Sequence, residues 1–279
     1  MNISRFVVVT FFIIISYSAT NTVLALENFS TCDIRGNIQY GDFIVTNNAW
    51  GINKFKGDSE TAMICISSNL AERDAAAMRV IWNIGETQNT VLAYPRISYG
   101  WDFSDNSSTS NLPIKISEIS YLISKIKYKM KSNDNFNVSY DIWLSNQEIP
   151  KKNDLKVELM IWTDWQNAIS PGKKISTIQL GDETYDVYKG KVSVGDWDYI
   201  ALVINYKKKE TIVKSLTETI KHEIQSSKSI DIKKVLMFLK QQKMINEDYF
   251  LNGISFGSEI MGGSGILNIE SFQVKMLSN

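Results

Sequence analysis

Alternation along Val157-Glu158-Leu159-Met160-Ile161-Trp162 places a carboxylate, a thioether and an indole on one side of a β-strand. Val157, Leu159 and Ile161 then make an aliphatic core face. A carboxylate in this setting is costly in a strand buried on both faces, and reasonable where the second face lines a wet groove. Holding a sugar chain is the simplest use of such a face; a solvated strand that merely carries a Glu is the plain alternative. Two further stretches bring carboxylates to a groove. Asp141 and Trp143 alternate away from Tyr140, Ile142 and Leu144, and Glu259 falls at a strand end before the glycine-rich Gly262-Gly263-Ser264-Gly265. Small residues there let backbone or ligand approach closely. Two Glu on facing strands of one concave sheet are what glycoside hydrolysis requires: one attacks the anomeric carbon and the other protonates the leaving oxygen.

Other chemistries find less support. The only histidine, His222, sits between Lys221 and Glu223 in a lysine-rich stretch, a poor setting for a Ser-His-Asp or Cys-His system. With two cysteines and that one histidine, a Cys/His zinc site is excluded in practice, and no metal or cofactor is expected. Zero net charge offers no basic stripe for nucleic acid. There is no Gly-rich phosphate loop and no βα alternation.

The elements that must position these carboxylates are short strands separated by turn residues. They include Phe43–Val45, Ala62–Ile66, Met78–Trp82, Val91–Tyr94, Lys125–Met130, Val138–Leu144, Tyr185–Tyr188, Tyr199–Tyr206, Ile254–Phe256 and Ile266–Met276. This spacing predicts an all-β, two-sheet antiparallel sandwich, a jelly roll. One helix is expected, capped by Ser229 or Asp231 and running to Lys243, with Ile232, Val235, Leu236 and Leu239 on its packed face. A second helix is expected within an insertion at about 207–229, where Ile212, Leu216, Ile220 and Ile224 recur every four residues.

Arg5 and the apolar run Phe6–Ile15 read as a signal-peptide core, with cleavage after Ala25 and Ala19 as a second site. The run is short for a bilayer span. The expected organisation is therefore a signal peptide, residues 1–25, and one domain, residues 26–279, secreted to the extracellular space with no stable membrane insertion. Cys32 and Cys65 then meet an oxidising compartment. Bridged, they would contribute about 3–4 kcal/mol in the chain-entropy model; two free buried thiols is the alternative.

Five pieces in order resemble glycoside hydrolase family 12: Asn47-Asn48-Ala49-Trp50-Gly51, Val91 to Pro95, Tyr140-Asp141-Ile142-Trp143, Glu158-Leu159-Met160-Ile161-Trp162, and Phe256-Gly257-Ser258-Glu259 through Gly265. The resemblance implies a bent jelly roll with an open cleft that cleaves β-1,4-glucan chains with retention; a monomer is expected. Carried over by position, Glu158 is the nucleophile and Glu259 the general acid, then base. Asp141 hydrogen-bonds and orients Glu158. Met160 packs beside the reacting sugar, Trp50 stacks on a glucose face on the non-reducing side, Asn48 bonds hydroxyls, and Trp162 lines the cleft. Cys32 with Cys65 matches a disulfide found in some members. The insertion at 207–229, the loop Asp102-Phe103-Ser104-Asp105-Asn106 and Thr163-Asp164-Trp165 depart from the family's usual wording.

The sequence therefore predicts a β-glucan substrate and a secreted retaining endo-β-1,4-glucanase, active on cellulose-like glucans, xyloglucan or mixed-linkage β-glucan. A non-hydrolytic carbohydrate-binding or wall-loosening protein on the same fold is the alternative. An adhesion protein using the amphipathic insertion is a third reading.

Overall fold

A computed structural model describes residues 28–52, 62–69, 75–85, 88, 90–103, 107–192, 195–206 and 222–279. The predicted signal segment lies outside these residues. Strands β1 (Asn28–Thr31), β2 (Asn37–Tyr40), β3 (Phe43–Thr46), β4 (Met63–Asn69), β5 (Ala76–Gly85), β6 (Arg96–Gly100), β7 (Ile114–Lys115) and β8 (Ile119–Ser132) lead into β9 (Phe136–Ser145) and β10 (Leu155–Gln166). There follow β11 (Lys173–Leu180), β12 (Glu183–Lys191), β13 (Asp198–Ile204), β14 (His222–Asp231), α1 (Ile232–Gln241), β15 (Phe250–Ile260) and β16 (Gly263–Ser278).

They form two open sheets. The first has the order β1-β4-β5-β16-β8-β14. The second has the order β11-β12-β13-β10-β9-β15-β6-β3-β2, with β7 paired to β15. The two-sheet sandwich expected from the strand spacing is present. One pairing differs from an all-antiparallel arrangement: β10 and β13 run parallel. The chain leaves β10 for the outer strand β11 and returns through β12, so β13 arrives beside β10 in its direction.

Period-2 patterning sets the core between the sheets. In β8, Leu122, Ile126, Tyr128 and Met130 are buried while Lys125, Lys127, Lys129 and Lys131 face out. Val157, Leu159 and Ile161 of β10 meet the same core as Tyr140, Ile142 and Leu144 of β9 and Ile254 and Phe256 of β15. Full burial of each such aliphatic side chain contributes about 1.5–3 kcal/mol. Strand β9 is buried along its whole length, because its outer face is covered as well.

The predicted helix is α1. Asp231 caps it, its side chain accepting from the Lys234 N–H at 2.8 Å, while Ser229 belongs to β14. Ile232, Val235, Leu236 and Leu239 are buried, and the helix packs on β8.

Two expectations are corrected. Val91–Tyr94 is not a strand but an extended segment with a single bridge, Ala93 to Ile260. Residues 222–229 of the expected second helix, His222 among them, lie in β14, paired antiparallel to β8 with Ile224 opposite Met130; the remainder, 207–221, falls outside the described residues. A spacing of four is also a multiple of two, so these isoleucines fit a strand equally well, and the open edge of β8 supplies backbone partners that an isolated helix does not have. Ile224, Ser226, Lys228 and Ile230 consequently share the inward side, where Lys228 pairs with Glu183.

Cys32 and Cys65 form a disulfide across a separation of 33 residues, tying the end of the β1/β4 pair. Its reduction, or Cys32→Ser with Cys65→Ser, is expected to lower stability by about 3–4 kcal/mol. Urea unfolding of oxidised and reduced protein would measure this.

Candidate active site

The site is assembled by register on the outer face of three adjacent strands. Tyr140, Ile142 and Leu144 take the core side of β9, so Asn137, Ser139, Asp141 and Trp143 point away from it. On one flank, Glu158 of β10 lies opposite Trp143, and Met160 opposite Asp141. On the other, Ser255 of β15 lies opposite Asp141, and Glu259 opposite Asn137. Glu158 and Glu259 thus share one face, on the two strands that bracket β9, with Asp141 between those strands.

Each carboxylate has its own donor. Trp197, from the segment leading into β13, donates its indole N–H to Glu158 Oε2 at 2.7 Å. The Trp143 indole N–H reaches Asp141 Oδ2 at 3.0 Å. Glu259 Oε2 accepts from the Asn137 amide, and Ser139 Oγ donates to Asn137 Oδ1 at 2.9 Å, which turns the amide so that its NH₂ faces Glu259. Asp141 Oδ1 is buried without a hydrogen-bond donor among the described residues.

The end of β15 is held by the segment that precedes β6. Ile260 N–H donates to the Ala93 carbonyl at 3.0 Å, and Leu92 N–H to that of Ile260 at 2.9 Å. A Cβ on Gly257 would sit 2.1 Å from the Pro95 carbonyl oxygen, so only glycine lets that segment lie against the strand two residues before Glu259. Tyr94 adds an O–H donated to the Ser139 carbonyl at 2.9 Å.

Two apolar clusters wall the carboxylates. Met160, Trp162, Ala168, Tyr199, Ala201 and Val203 form one, and Trp101, Trp143, Leu155 and Trp197 the other. Burial between them is the largest influence on all three acids, and it disfavours the charged form. Glu259 is pushed up to about 7, against the pull of its Asn137 hydrogen bond. Asp141 is likewise pushed up to about 7 by burial, opposed by the Arg96 charge and the Trp143 hydrogen bond. Glu158 is held well above the usual carboxylate range by burial, then by the charge of Asp141, with Glu259 adding to the same effect. Charges packed in this way titrate as a group.

Arg96, on β6, is a buried cation behind the acids. Its guanidinium pairs with Asp102 at 2.6 Å, and Asp102 also accepts from Ser98 at 3.0 Å and Thr46 at 2.9 Å. The loop after β6 therefore folds back over the outer face of β6 and β3.

Raised carboxyl pKa values act on stability with a defined sign. Folded Asp141 holds its proton more tightly than the unfolded chain, so its contribution is full below about pH 4 and is lost as pH rises through about 7. Asp141→Asn removes that dependence. The variant is expected to be more stable than the parent by about 1–3 kcal/mol at pH 8 and close to it at pH 4. Urea unfolding at the two pH values checks this.

The two-sheet sandwich that carries these glutamates has counterparts among known proteins. The sequence model of glycosyl hydrolase family 12 matches residues 41–276. The chain belongs to glycosyl hydrolase family 12. Among its relatives is Endoglucanase S of Pectobacterium parmentieri, 27% identical over 86% of this chain and 82% of that protein. Another is the xyloglucan-specific endo-beta-1,4-glucanase A of Emericella nidulans, 23% identical over 85% of this chain and 86% of its own length. The fold is shared with a family 12 xyloglucanase from Bacillus licheniformis, with a TM-score of 0.71 at 21% identity over 89% of this chain and all of that one. The protein is a glycoside hydrolase.

Within this family 12 fold, the residues singled out from sequence divide into three groups. Glu158, Glu259 and Asp141 are gathered on one face, with the Glu158–Asp141 contact one of charge while the hydrogen bonds go to two indoles. Trp50 is 48% exposed, and Asn48 close by in sequence donates to the Tyr94 carbonyl at 3.3 Å from a left-handed backbone. Met160 and Trp162 make the third group: they are 3% and 1% exposed and pack with Tyr199, Ala201 and Val203 of β13 beside the acids, the Tyr199 hydroxyl meeting Met160 Sδ at 3.3 Å.

Sequence reasoning missed Trp197, Asn137 and Arg96. Trp197 and Asn137 sit in no motif whose chemistry is evident locally; Arg96 follows Pro95 directly, yet its partner Asp102 is set by a loop reversal. Asn137 shares the alternation of Asp141 and Trp143 along β9, and that periodicity was the one signal able to place it on the site face.

Proposed function

We propose that this family 12 hydrolase is an exported, retaining endo-β-1,4-glucanase that cuts internal bonds of xyloglucan, mixed-linkage or cellulose-like β-glucans. The observation that carries the reading is the pair Glu158 and Glu259, on one face astride β9 and near enough for the charge of one to bear on the other. Retention calls for carboxyls about 5–5.5 Å apart. The names of the relatives, an endoglucanase and a xyloglucan-specific endoglucanase, support the substrate class.

In the reaction, a Glu158 oxygen attacks the anomeric carbon and the bond to the leaving oxygen breaks. Glu259 delivers its proton to that oxygen, and a glycosyl ester on Glu158 results. Losing the Glu158 charge eases ionisation of Glu259, which then takes a proton from water as that water attacks the same carbon and frees Glu158. Burial keeps Glu259 protonated for the first step, and the Trp197 N–H favours the ionised form of Glu158. A proton held by Asp141 relieves the repulsion among the three carboxyls. Pyranose faces are apolar enough to rest on Trp50.

The apolar run near the N-terminus and the disulfide support export to an oxidising compartment. Among the described residues no helix is long and apolar enough to cross a membrane. Reducing-end release from carboxymethyl-cellulose, xyloglucan, mixed-linkage glucan and xylan, with the first anomer formed followed by NMR, tests the proposal. Release of the β-anomer from a β-glucan is expected. The α-anomer would overturn retention, and glucan binding without new reducing ends would favour the non-hydrolytic reading.

A further inference from the structure

We infer that Phe103 is an additional sugar-stacking residue, holding a glucosyl ring of the substrate chain beside the carboxylates; this rests on the glucanase reading above. Phe103 is 51% exposed, the counterpart of Trp50 in a protein whose other large rings around the carboxylates are buried. Its backbone is left-handed, φ 56°, a conformation a bulky residue adopts only when its surroundings impose it. Those surroundings are specific. Asp102, immediately before it, is locked to Arg96, Ser98 and Thr46. Trp101 packs on one side of the Phe103 ring, centroids 4.5 Å apart. Trp143 meets it nearly at right angles at 5.0 Å, and the Arg96 guanidinium lies 6.0 Å from its centroid.

From Phe103 the rings lead directly to the acids. Trp143, which it touches, bonds Asp141 and packs at 5.2 Å against Trp197, the donor to Glu158. A glucan laid across β10, β9 and β15 toward β6 therefore meets Phe103 soon after the carboxylates. Trp101, Trp143 and Trp197 are buried and occupied with one another, while the Phe103 ring remains open to solvent beside them. An exposed ring of fixed orientation next to hydrogen-bonding groups is the arrangement that binds a pyranose face.

The test compares Phe103→Ala and Phe103→Trp with the unaltered protein on the most readily cut soluble β-glucan. Phe103→Ala is expected to raise KM about tenfold with kcat within about twofold and the pH profile unmoved, and Phe103→Trp to restore KM. An unchanged KM, or a fall in kcat with a displaced pH profile, would overturn the inference, the latter because Phe103 would then only brace Trp143. Affinity electrophoresis through the same glucan separates this from the parent reading. If the unaltered protein is retarded but releases no reducing ends, the hydrolytic reading fails, while loss of retardation in Phe103→Ala alone still upholds the platform. If the unaltered protein is not retarded, the platform falls too.

Discussion

Glu158→Gln is expected to lower hydrolysis of soluble β-glucan by about 10⁴- to 10⁶-fold, since the glutaminyl side chain has no anionic oxygen to form the glycosyl ester. Glu259→Gln is expected to fall comparably on glucan, where the leaving sugar oxygen needs a proton. On an aryl cellobioside with an acidic phenol the first step needs no such help. Glu259→Gln should therefore form the glycosyl-enzyme rapidly and then stall, because no base activates water. A burst of phenol followed by slow turnover, with the added mass of the glycosyl group on the intact protein, would be seen in this variant and not in Glu158→Gln. Equal and mild effects of both substitutions would dismiss the assignment. The isosteric amides keep the hydrogen-bond acceptors of both sites, so loss of folding would not explain the result; denaturation midpoints near the parent value establish this.

Trp197→Phe is expected to be the most damaging change among residues that do not react. Its indole N–H is the donor that stabilises ionised Glu158, and a hydrogen bond to a charged group contributes about 1.5–3 kcal/mol. Without it the Glu158 pKa rises. The nucleophile works only when ionised, so less of the active form exists at low pH and the acidic limb of the kcat/KM profile moves upward. At pH 5 the loss is expected to be about ten- to a hundredfold, shrinking as pH rises. Asn137→Ala acts in the same direction on the other limb. Its amide favours ionised Glu259, so its removal raises that pKa and carries the alkaline limb to higher pH. The two limbs report the titration of the whole carboxyl group, and the informative result is a rise of the acidic limb in one variant, narrowing the profile, against a rise of the alkaline limb in the other, widening it. Profiles of kcat/KM from pH 4 to 9 would measure both.

How the site is built explains which of its parts could be read from the chain alone. Glu158, Asp141 and Glu259 announce themselves because a carboxylate amid strand alternation is costly to bury, and period 2 states which neighbours share its side. The same rule correctly assigned Val157, Leu159 and Ile161 to the core, and a cap plus 3.6-residue spacing located α1. It failed at Ile224, whose spacing from the preceding isoleucine suits helix and strand alike; the free edge of β8 decided for a strand, and edge availability is not a local property.

The sidedness of the three carboxylates was thus determined by the residues themselves, through alternation and the expense of burying charge. Only the tertiary structure decided what surrounds them. Trp197 reaches Glu158 because β13 comes to lie parallel beside β10, and that same placement sinks Met160 and Trp162 beneath the surface. Phe103 stands over Trp143 because Asp102 finds a buried arginine six residues back. Desolvation, donor geometry and exposure depend on atoms distant in sequence, and folding alone brings those atoms together.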